Sequence, residues 1–249
     1  MESKTYTQAA EVENKHWWFQ ARRIIFQSLL NKHVKLREGV RVLEVGCGNG
    51  GNFSMLSEYG ELFGVELDDG ARAVAIARGV ATVEKGWLPD AVPYAGEIFD
   101  LVAVLDVIEH VDDDAAAISA LKGKLNADGL LMISVPAYNW LWSSHDELSH
   151  HKRRYTLPQI RKLLDKCGFD VVYASYFNTF LFPISVLYII LTKIFNVGSS
   201  VAMGLPAPFI NSSLRYIFAL ERYILSKSAL PFGISIVVFA RASKVRCSG

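Results

Sequence analysis

Cysteine is scarce in this sequence, and neither sign of charge is in excess. The three cysteines, Cys47, Cys167 and Cys247, are widely separated and form no CxxC pair, which fits neither a disulfide framework nor a zinc site. They indicate a reducing, cytoplasmic setting. Lysine and arginine total 26 against 25 aspartates and glutamates, so the chain lacks the positive field that attracts nucleic acid.

A clear membrane-spanning run is also lacking. The apolar run from Phe180 to Phe195 is shorter than the roughly 20 apolar residues of a spanning helix, and Pro183 and Lys193 interrupt it. Because a later strand must return to the same sheet, we expect a helical cap or homodimer surface, and peripheral contact with the inner face of a membrane stays open. The first 20 residues have no apolar core behind a basic start, so no secretory signal is predicted.

What the sequence does contain is an alternation of short β-branched runs with helical stretches. Several runs are apolar on both faces, as in strands of a buried parallel sheet. Thr156 and Gln159 have the spacing of a capping box at the start of one helix. The predicted strands are 41–45, 62–66, 81–84, 100–105, 130–135, 169–177 and 234–242, with helices over 52–59, 70–78, 113–125 and 157–168. This order predicts an α/β fold with a doubly wound, mostly parallel, seven-stranded Rossmann-like sheet.

One domain is expected over residues 1–249. Its predicted parts are an N-terminal helical cover (1–38), a cofactor-binding core (39–177), an apolar helical insertion or cap (178–231) and the last strand (232–243). The insertion is unusual, because about fifty residues intervene where a plain fold of this class joins its last two strands tightly. A second helix is predicted inside it over 212–227, after a stretch that bears glycine and proline.

The glycine turn after the first strand indicates a nucleotide-type cofactor. Gly46, Gly48 and Gly51 satisfy GxGxxG, with Glu66 twenty positions beyond Gly46, which is the dinucleotide-binding pattern of an NAD enzyme. The same stretch also satisfies ExGxGxG, beginning at Glu44. A carboxylate beside the turn disfavours a pyrophosphate and favours a ligand with a cationic end.

Four segments together resemble the successive motifs of the class I S-adenosylmethionine-dependent methyltransferases. They are "VLEVGCGNG", "FGVELD", "FDLVAVLDVIEHV" and "LNADGLLMISVPA", and they cover roughly residues 40–137. The resemblance implies S-adenosylmethionine as cofactor. It implies that Glu44, Gly46, Gly48 and Gly50 hold the methionyl part and the turn beneath it, and that Glu66 holds the ribose. Gly86 and Trp87 would contact the adenine, and Leu67 would also bind the cofactor. Asp106 would face the methionyl amine, and Arg22 would pair with the methionyl carboxylate.

Plainer interpretations of three of these residues stay open. Trp87 can be a half-buried aromatic at a cavity rim instead of a stacking partner for adenine. Asp106 can cap a turn or contact the acceptor. Arg22, in "HWWFQARR", can belong to a helix that packs on the sheet with its arginines in water.

Methyl transfer from a sulfonium mainly requires positioning, but a hydroxyl acceptor must also lose a proton. The candidate catalytic bases are His110, after the fourth strand, and His145 and His151, in the loop after the fifth. The predicted substrate-binding residues of that loop are Trp140, Asp146, Arg154 and Tyr155. No metal site is predicted, because the adjacent loop histidines lack a thiolate partner or HExxH spacing.

The segments "HDELSHHKRRYT", "FNTFLFP" and "LPAPFIN" resemble a subset of bacterial methyltransferases associated with lipid-linked or polysaccharide precursors. That resemblance implies a small or lipid-linked acceptor. Two alternatives remain: an NAD-dependent oxidoreductase, and a non-catalytic S-adenosylmethionine-binding module at a membrane. Oxygen, nitrogen and carbon acceptors are all compatible with the residues.

Overall fold

The computed structural model describes residues 3–35, 37–195 and 204–243, so Cys247 and part of the glycine- and proline-bearing stretch lie outside the described residues. The strands are β1 (Arg41–Val45), β2 (Glu61–Glu66), β3 (Thr82–Lys85), β4 (Phe99–Leu105), β5 (Leu125–Pro136), β6 (Phe169–Phe177) and β7 (Ser235–Ala242). The helices are α1 (Ser3–Lys15), α2 (Trp17–His33), α3 (Phe53–Leu56), α4 (Asp69–Ala77), α5 (Asp114–Lys122), α6 (Ser144–Leu148), α7 (Leu157–Lys166), α8 (Phe182–Phe195), α9 (Pro208–Ala219) and α10 (Glu221–Leu225).

The seven strands form one sheet in the order β3-β2-β1-β4-β5-β7-β6, which confirms the predicted fold class. Strands β1 to β5 pair in parallel, and β7 runs antiparallel between β5 and β6. The chain moves outward from β1 in one direction through β2 and β3, and in the other through β4 and β5. Ligands bind at such a switch point, beyond the carboxyl ends of the strands.

Apolar side chains cover both faces of the sheet, as the double-sided strand pattern requires. On one face, Leu43 shares a core with Ile118 of α5 and Ile160 of α7. On the other face, Val42 shares a core with Phe26 of α2. The N-terminal cover is thus an integral part of one core, with the start of α2 at the carboxyl edge of the sheet.

Two predicted helices have different bounds in the structure. The segment predicted as a helix over 52–59 forms only the four-residue α3, since Gly60 and the glycine turn confine it. The segment over 212–227 forms two helices, α9 and α10, which meet at Leu220. The predicted capping box of α7 is present, with Thr156 and Gln159 bonded reciprocally.

The insertion begins on a buried carboxylate. Glu221 is fully buried and accepts hydrogen bonds from the backbone N–H groups of Asn178, Thr179 and Phe180 at 2.7, 2.6 and 2.8 Å. These donors lie where the chain leaves β6 and turns into α8, so no strand or helix ladder satisfies them. Glu221 therefore joins the two ends of the insertion. The division into four parts stays a prediction.

Among the described residues, no helix combines the length and the apolar character needed to cross a bilayer.

We expect Glu221→Ala to lower the free energy of unfolding by about 3 kcal/mol, because three buried backbone donors lose their acceptor. Urea denaturation measures this change. Glu221→Gln keeps one acceptor oxygen and should cost less, and Glu11→Ala, at an exposed helical glutamate, should change stability little. Equal effects of Glu221→Ala and Glu11→Ala would contradict this role.

Candidate active site

Left-handed glycines shape the turn between β1 and α3. Gly46, Gly48 and Gly50 have φ values of 74°, 53° and 73°. The Gly46 N–H donates to Val65 O at 2.8 Å, and a Cβ on Gly46 would lie 2.4 Å from Cγ2 of Val107. A larger residue at position 46 would combine this clash with an unfavourable backbone conformation. The turn thus places backbone atoms that no side chain covers at the carboxyl end of β2.

Glu66 ends β2 beside this turn, and two backbone groups fix its carboxylate. Gly48 N–H donates to Oε2 at 2.8 Å and Asp68 N–H donates to Oε1 at 2.9 Å. Each oxygen retains a lone pair for a further donor. Because its orientation is already set, Glu66 can accept hydrogen bonds from a diol without ordering a flexible side chain.

A cavity of about 820 Å³ opens where the first four strands end. Its lining combines the glycine turn, the end of β2, the segment after β3 and the segment after β4. The predicted site residues in this lining are Gly46, Glu66, Leu67, Gly86, Trp87, Asp106 and His110. Trp87 is 45% exposed, so one face of its ring is available to a ligand. Gly48 and Gly50 shape the turn and do not belong to the lining.

Glu44 lies beneath the turn instead of in the cavity lining. It is 1% exposed, and its Oε1 accepts from Nδ2 of Asn52 at 2.7 Å. Its Oε2 and the Oδ1 of Asn52 have no protein partner. Burial raises the pKa of Glu44 to about 8 despite the hydrogen bond from Asn52. The ExGxGxG pattern predicts a negative charge at position 44, but the Glu44 carboxyl is largely protonated at neutral pH.

Arg22 and Asp106 form a partly buried ion pair between α2 and the end of β4. Arg22 is 4% exposed, and its guanidinium carbon lies 4.5 Å from the centroid of the Trp18 ring. Asp106 also accepts from the Ser134 hydroxyl at 2.9 Å and has a φ of 58°, a strained conformation for a non-glycine residue. The predicted partner of Arg22 was a cofactor carboxylate; in the structure it is Asp106.

A second cavity, of about 460 Å³, lies on the other side of this ion pair. One wall comes from the start of α2, with Trp17, Trp18 and Phe19, and the other from the loop after β5, with His145, His151 and Arg154. Asp106 lines both cavities. We call the larger one the cofactor cavity and the smaller one the acceptor cavity.

His151 is held by a buried carboxylate in the acceptor cavity. Its Nδ1 lies 2.9 Å from Oδ1 of Asp146, and Arg154 donates to both oxygens of Asp146 at 2.7 and 2.8 Å. Although burial raises the pKa of Asp146, the hydrogen bonds from His151 and Arg154 hold that pKa well below its usual value. Because ionised Asp146 only accepts hydrogen bonds, Nδ1 of His151 carries a proton, and Nε2 is the ring nitrogen left for other contacts.

Glu109 lies next to that nitrogen, 4.0 Å from Oε1 to Nε2 of His151. It is fully buried, and neither carboxylate oxygen has a protein partner. Burial, reinforced by the charge of Asp106, raises the pKa of Glu109 well above its usual value. Burial also lowers the pKa of His110, whose ring lies 4.7 Å from that of His151. Glu109 is thus a protonated acid beside the neutral imidazole of His110.

Glu109, His110 and His151 each offer a potential metal-ligand atom, and these atoms lie within 4.8 Å of one another. Carboxylate oxygen and imidazole nitrogen suit divalent transition ions, and Glu109 would lose its proton on coordination. The sequence analysis weighed His151 as a ligand only together with its neighbours in the same loop, because Glu109 and His151 are 42 positions apart in sequence.

Three of the four predicted substrate-binding residues lie outside the lining of the acceptor cavity. Asp146 is fully buried and its oxygens are taken by Ser143, His151 and Arg154, so it positions His151 instead of contacting substrate. Tyr155 is 5% exposed and donates to Asp114 at 2.9 Å. Trp140 is 57% exposed and contacts the ring of Phe182, outside both cavity linings.

Sequence reasoning missed two parts of the site. His16 caps α2 by accepting from the Trp18 N–H at 3.3 Å, and both side chains line the acceptor cavity. Histidine is not a common cap, so only the aromatic cluster indicated this wall. Ser134 orients Asp106 from near the carboxyl end of β5, where a polar residue in an otherwise apolar strand was a usable signal.

Comparisons with known proteins agree with this geometry. A family model described as a methyltransferase domain matches residues 16–174. A ubiquinone biosynthesis O-methyltransferase from Cereibacter sphaeroides is 29% identical over 157 residues, which cover 54% of this chain and 62% of that relative. The match thus spans less than two thirds of that relative's length.

Solved structures show the same fold. A chain of the complex between the Haloferax volcanii Trm112 methyltransferase activator and a methyltransferase has a TM-score of 0.62 and 16% identity, covering 97% of this chain and 95% of that one. Magnesium protoporphyrin IX methyltransferase from Synechocystis, solved with bound S-adenosylhomocysteine, has a TM-score of 0.53 and 14% identity, covering 91% of this chain and 83% of that one.

We expect Glu44→Gln to stabilise the cofactor-free protein increasingly as pH rises. Below pH 4.5 the folded and unfolded states both hold the Glu44 proton; between 4.5 and about 8 only the folded state holds it, so the wild type loses stability that the amide retains. The advantage should grow by up to about 1.4 kcal/mol per pH unit in urea denaturation. A stability difference between Glu44→Gln and the wild type that does not change with pH would show that Glu44 is ionised in the folded protein.

Proposed function

The chain belongs to the methyltransferase-domain family, and we propose that it transfers a methyl group from S-adenosylmethionine to a hydroxyl group of a small or lipid-linked, largely apolar acceptor. One observation carries this proposal: Asp106 lines two cavities, one built for a nucleoside-bearing ligand and the other containing a histidine set for proton transfer. Such an arrangement holds a donor and an acceptor on either side of a single side chain.

The residues of the cofactor cavity fit S-adenosylmethionine. When bound, it supplies a methyl group on a positively charged sulfur that departs as a neutral thioether. Glu66 accepts hydrogen bonds from the ribose diol, since both its oxygens are fixed and still have lone pairs. Leu67, Gly86 and Trp87 flank the adenine. Gly46 lets the ligand approach the backbone.

The partly buried ion pair suits the amino-acid end of the cofactor. Arg22 presents guanidinium donors to a carboxylate, and Asp106 accepts from an ammonium. The two side chains neutralise one another in the structure, so a zwitterionic ligand can insert between them without a net change in buried charge. Glu44 lies behind the turn as a largely neutral acid.

His151 acts as the general base in this proposal. With donor and acceptor bound, Nε2 would accept the hydroxyl proton of the acceptor, and S-adenosylmethionine would supply the methyl group that the acceptor oxygen takes up. Asp146 stabilises the imidazolium that results, through the hydrogen bond at Nδ1. His145 and Arg154 line the same cavity and contact the acceptor. The printed name of the Cereibacter relative, an O-methyltransferase, supports oxygen as the accepting atom.

The acceptor cavity favours an apolar molecule. Its α2 wall is formed by Trp17, Trp18 and Phe19, and Ile234 contributes from the chain before β7. At about 460 Å³, the cavity accommodates a ring-sized group. An apolar tail longer than this must extend out of the protein, which is compatible with a lipid-linked acceptor.

The two rival functions predicted from the sequence are less well supported. The family match and the neighbour with bound S-adenosylhomocysteine both favour S-adenosylmethionine over NAD. A non-catalytic binding module would not require His151 to be oriented by the buried Asp146–Arg154 pair.

We expect Glu66→Ala to weaken S-adenosylhomocysteine binding by about 1.5 to 3 kcal/mol, because a charged acceptor of the ribose hydroxyls is lost. Isothermal titration calorimetry measures this change. Glu61→Ala removes an exposed carboxylate from the other end of the same strand and should leave binding unchanged. An unaltered dissociation constant for Glu66→Ala would remove Glu66 from the site, and tight NADH binding without a response to S-adenosylhomocysteine would restore the NAD hypothesis.

His151→Gln is expected to lower kcat by about 10² to 10⁴ while S-adenosylhomocysteine binds as in the wild type, because general-base assistance is lost. Turnover of labelled S-adenosylmethionine with a lipid extract as acceptor provides the assay. The acidic limb of the wild-type pH profile should disappear in this variant.

His150→Asn is the matched control, since His150 is exposed and its left-handed φ of 54° suits asparagine. Its kcat should equal that of the wild type. If His151→Gln retains full activity and the same pH profile, His151 is not the base.

A further inference from the structure

Helix α8 has the composition of a buried helix and the exposure of a surface one. None of its described side chains, from Phe182 to Ile194, is buried. Ile184, Leu187, Leu191 and Ile194 recur at three- and four-residue spacing on one side, with exposures of 64, 56, 42 and 68%. Apolar residues ordinarily recur in this way on the face that a helix buries.

Helices α9 and α10 add an exposed aromatic row. Phe209, Tyr216 and Tyr223 follow at intervals of seven residues and are 82, 67 and 58% exposed. The opposite side of α9 packs on the protein, because Phe218 is fully buried against α2. The exposed row is therefore not a consequence of poor packing. Tyrosine and phenylalanine are typical of surfaces that contact a lipid–water interface.

The insertion carries an excess of positive charge. Residues 178–231 contain four basic residues, Lys193, Arg215, Arg222 and Lys227, and a single acidic residue, Glu221, in a chain whose totals are balanced. Glu221 is fully buried, and Lys193, Arg215 and Lys227 are exposed. Lys193 donates to Trp140 O at 3.4 Å and Arg215 to Oε1 of Gln20 at 3.2 Å, so these two exposed cations flank the apolar and aromatic faces of α8 and α9.

Helix α9 adjoins a wall of the acceptor cavity, and α8 begins beside Trp140, in the same loop as the other wall but outside the cavity lining. Phe182, at the start of α8, lies 6.1 Å from the ring of Trp140 in the loop after β5. On the other side, the Trp17 ring lies 6.0 Å from Phe218 of α9, and the Trp17 N–H donates to Asn211 at 2.8 Å. Trp17 itself lines the acceptor cavity.

We propose that the exposed faces of α8, α9 and α10 dock on an anionic lipid bilayer, with the apolar stripe of α8 in the interface. The basic side chains then meet lipid phosphates, each contributing to attraction, and the tyrosines lie at headgroup depth. A symmetric dimer through this face would bring two positive surfaces together, which disfavours a second copy as the occupant. Uptake of an apolar acceptor from the bilayer is a consequence that rests on the proposed function.

Flotation of the full chain with vesicles tests the docking. We expect binding to phosphatidylcholine vesicles that contain phosphatidylglycerol, weaker binding to phosphatidylcholine alone, and release of part of the protein by added salt. The double variant Leu187→Glu, Ile194→Glu should reduce partitioning about a hundredfold. Lys193→Gln and Arg215→Gln should each reduce binding to the anionic vesicles about fivefold.

Ile76→Glu is the matched control, because Ile76 is 50% exposed on helix α4 and lies outside the docking surface. It should float like the wild type. Calorimetry with S-adenosylhomocysteine on each variant reports folding and the cofactor site separately, so loss of docking is distinguished from failure of the proposed function. Failure to float with anionic vesicles, equal effects of Ile76→Glu and the α8 variants, or a dimer in sedimentation that the α8 variants dissociate, would each overturn the proposal.

Discussion

The carboxylate of Asp106 is the constraint on which the geometry of this site depends. It follows β4 at a left-handed backbone position, held by Ser134 from the neighbouring strand and by Arg22 from α2. If Asp106 adopted an ordinary extended conformation, its side chain would leave the junction of the two cavities. The ion pair with Arg22 and the hydrogen bond from the Ser134 hydroxyl offset this backbone strain. Helix α2 and the sheet together therefore fix the position of the Asp106 carboxylate.

Neighbouring carboxylates in the site differ in charge because their donors differ. Asp146 receives hydrogen bonds from the Ser143 backbone and hydroxyl, His151 and Arg154, and stays ionised although it is buried. Glu109 is equally buried and has no donor, so it holds its proton. A charged Asp146 can stabilise an imidazolium at His151, whereas a neutral Glu109 adds no second negative charge beside the ring.

Local patterns were sufficient for the sheet and much of the cofactor cavity. The strands were predictable because both faces are apolar, and Gly46, Glu66, Gly86 and Trp87 lie directly after strands that meet at one edge. The acceptor side was less predictable, since its contacts join residues far apart in sequence. Nothing local distinguishes His151, which faces the cavity, from His150, which is exposed. Asp146 and Tyr155 were polar loop residues in the sequence, and only tertiary packing buries them.

The insertion illustrates a second limit of local patterns. Its apolar residues predict helices correctly, but apolar spacing gives the same signal whether a helix packs on protein or on another surface. In α9 one side packs on α2, with Phe218 buried, so the exposed row on the other side is a separate feature. In α8 no described side chain is buried, although the helix begins against Trp140. Because Glu221 fastens the start of the insertion to its return into the sheet, α8 can be presented outward without weakening the strand that follows.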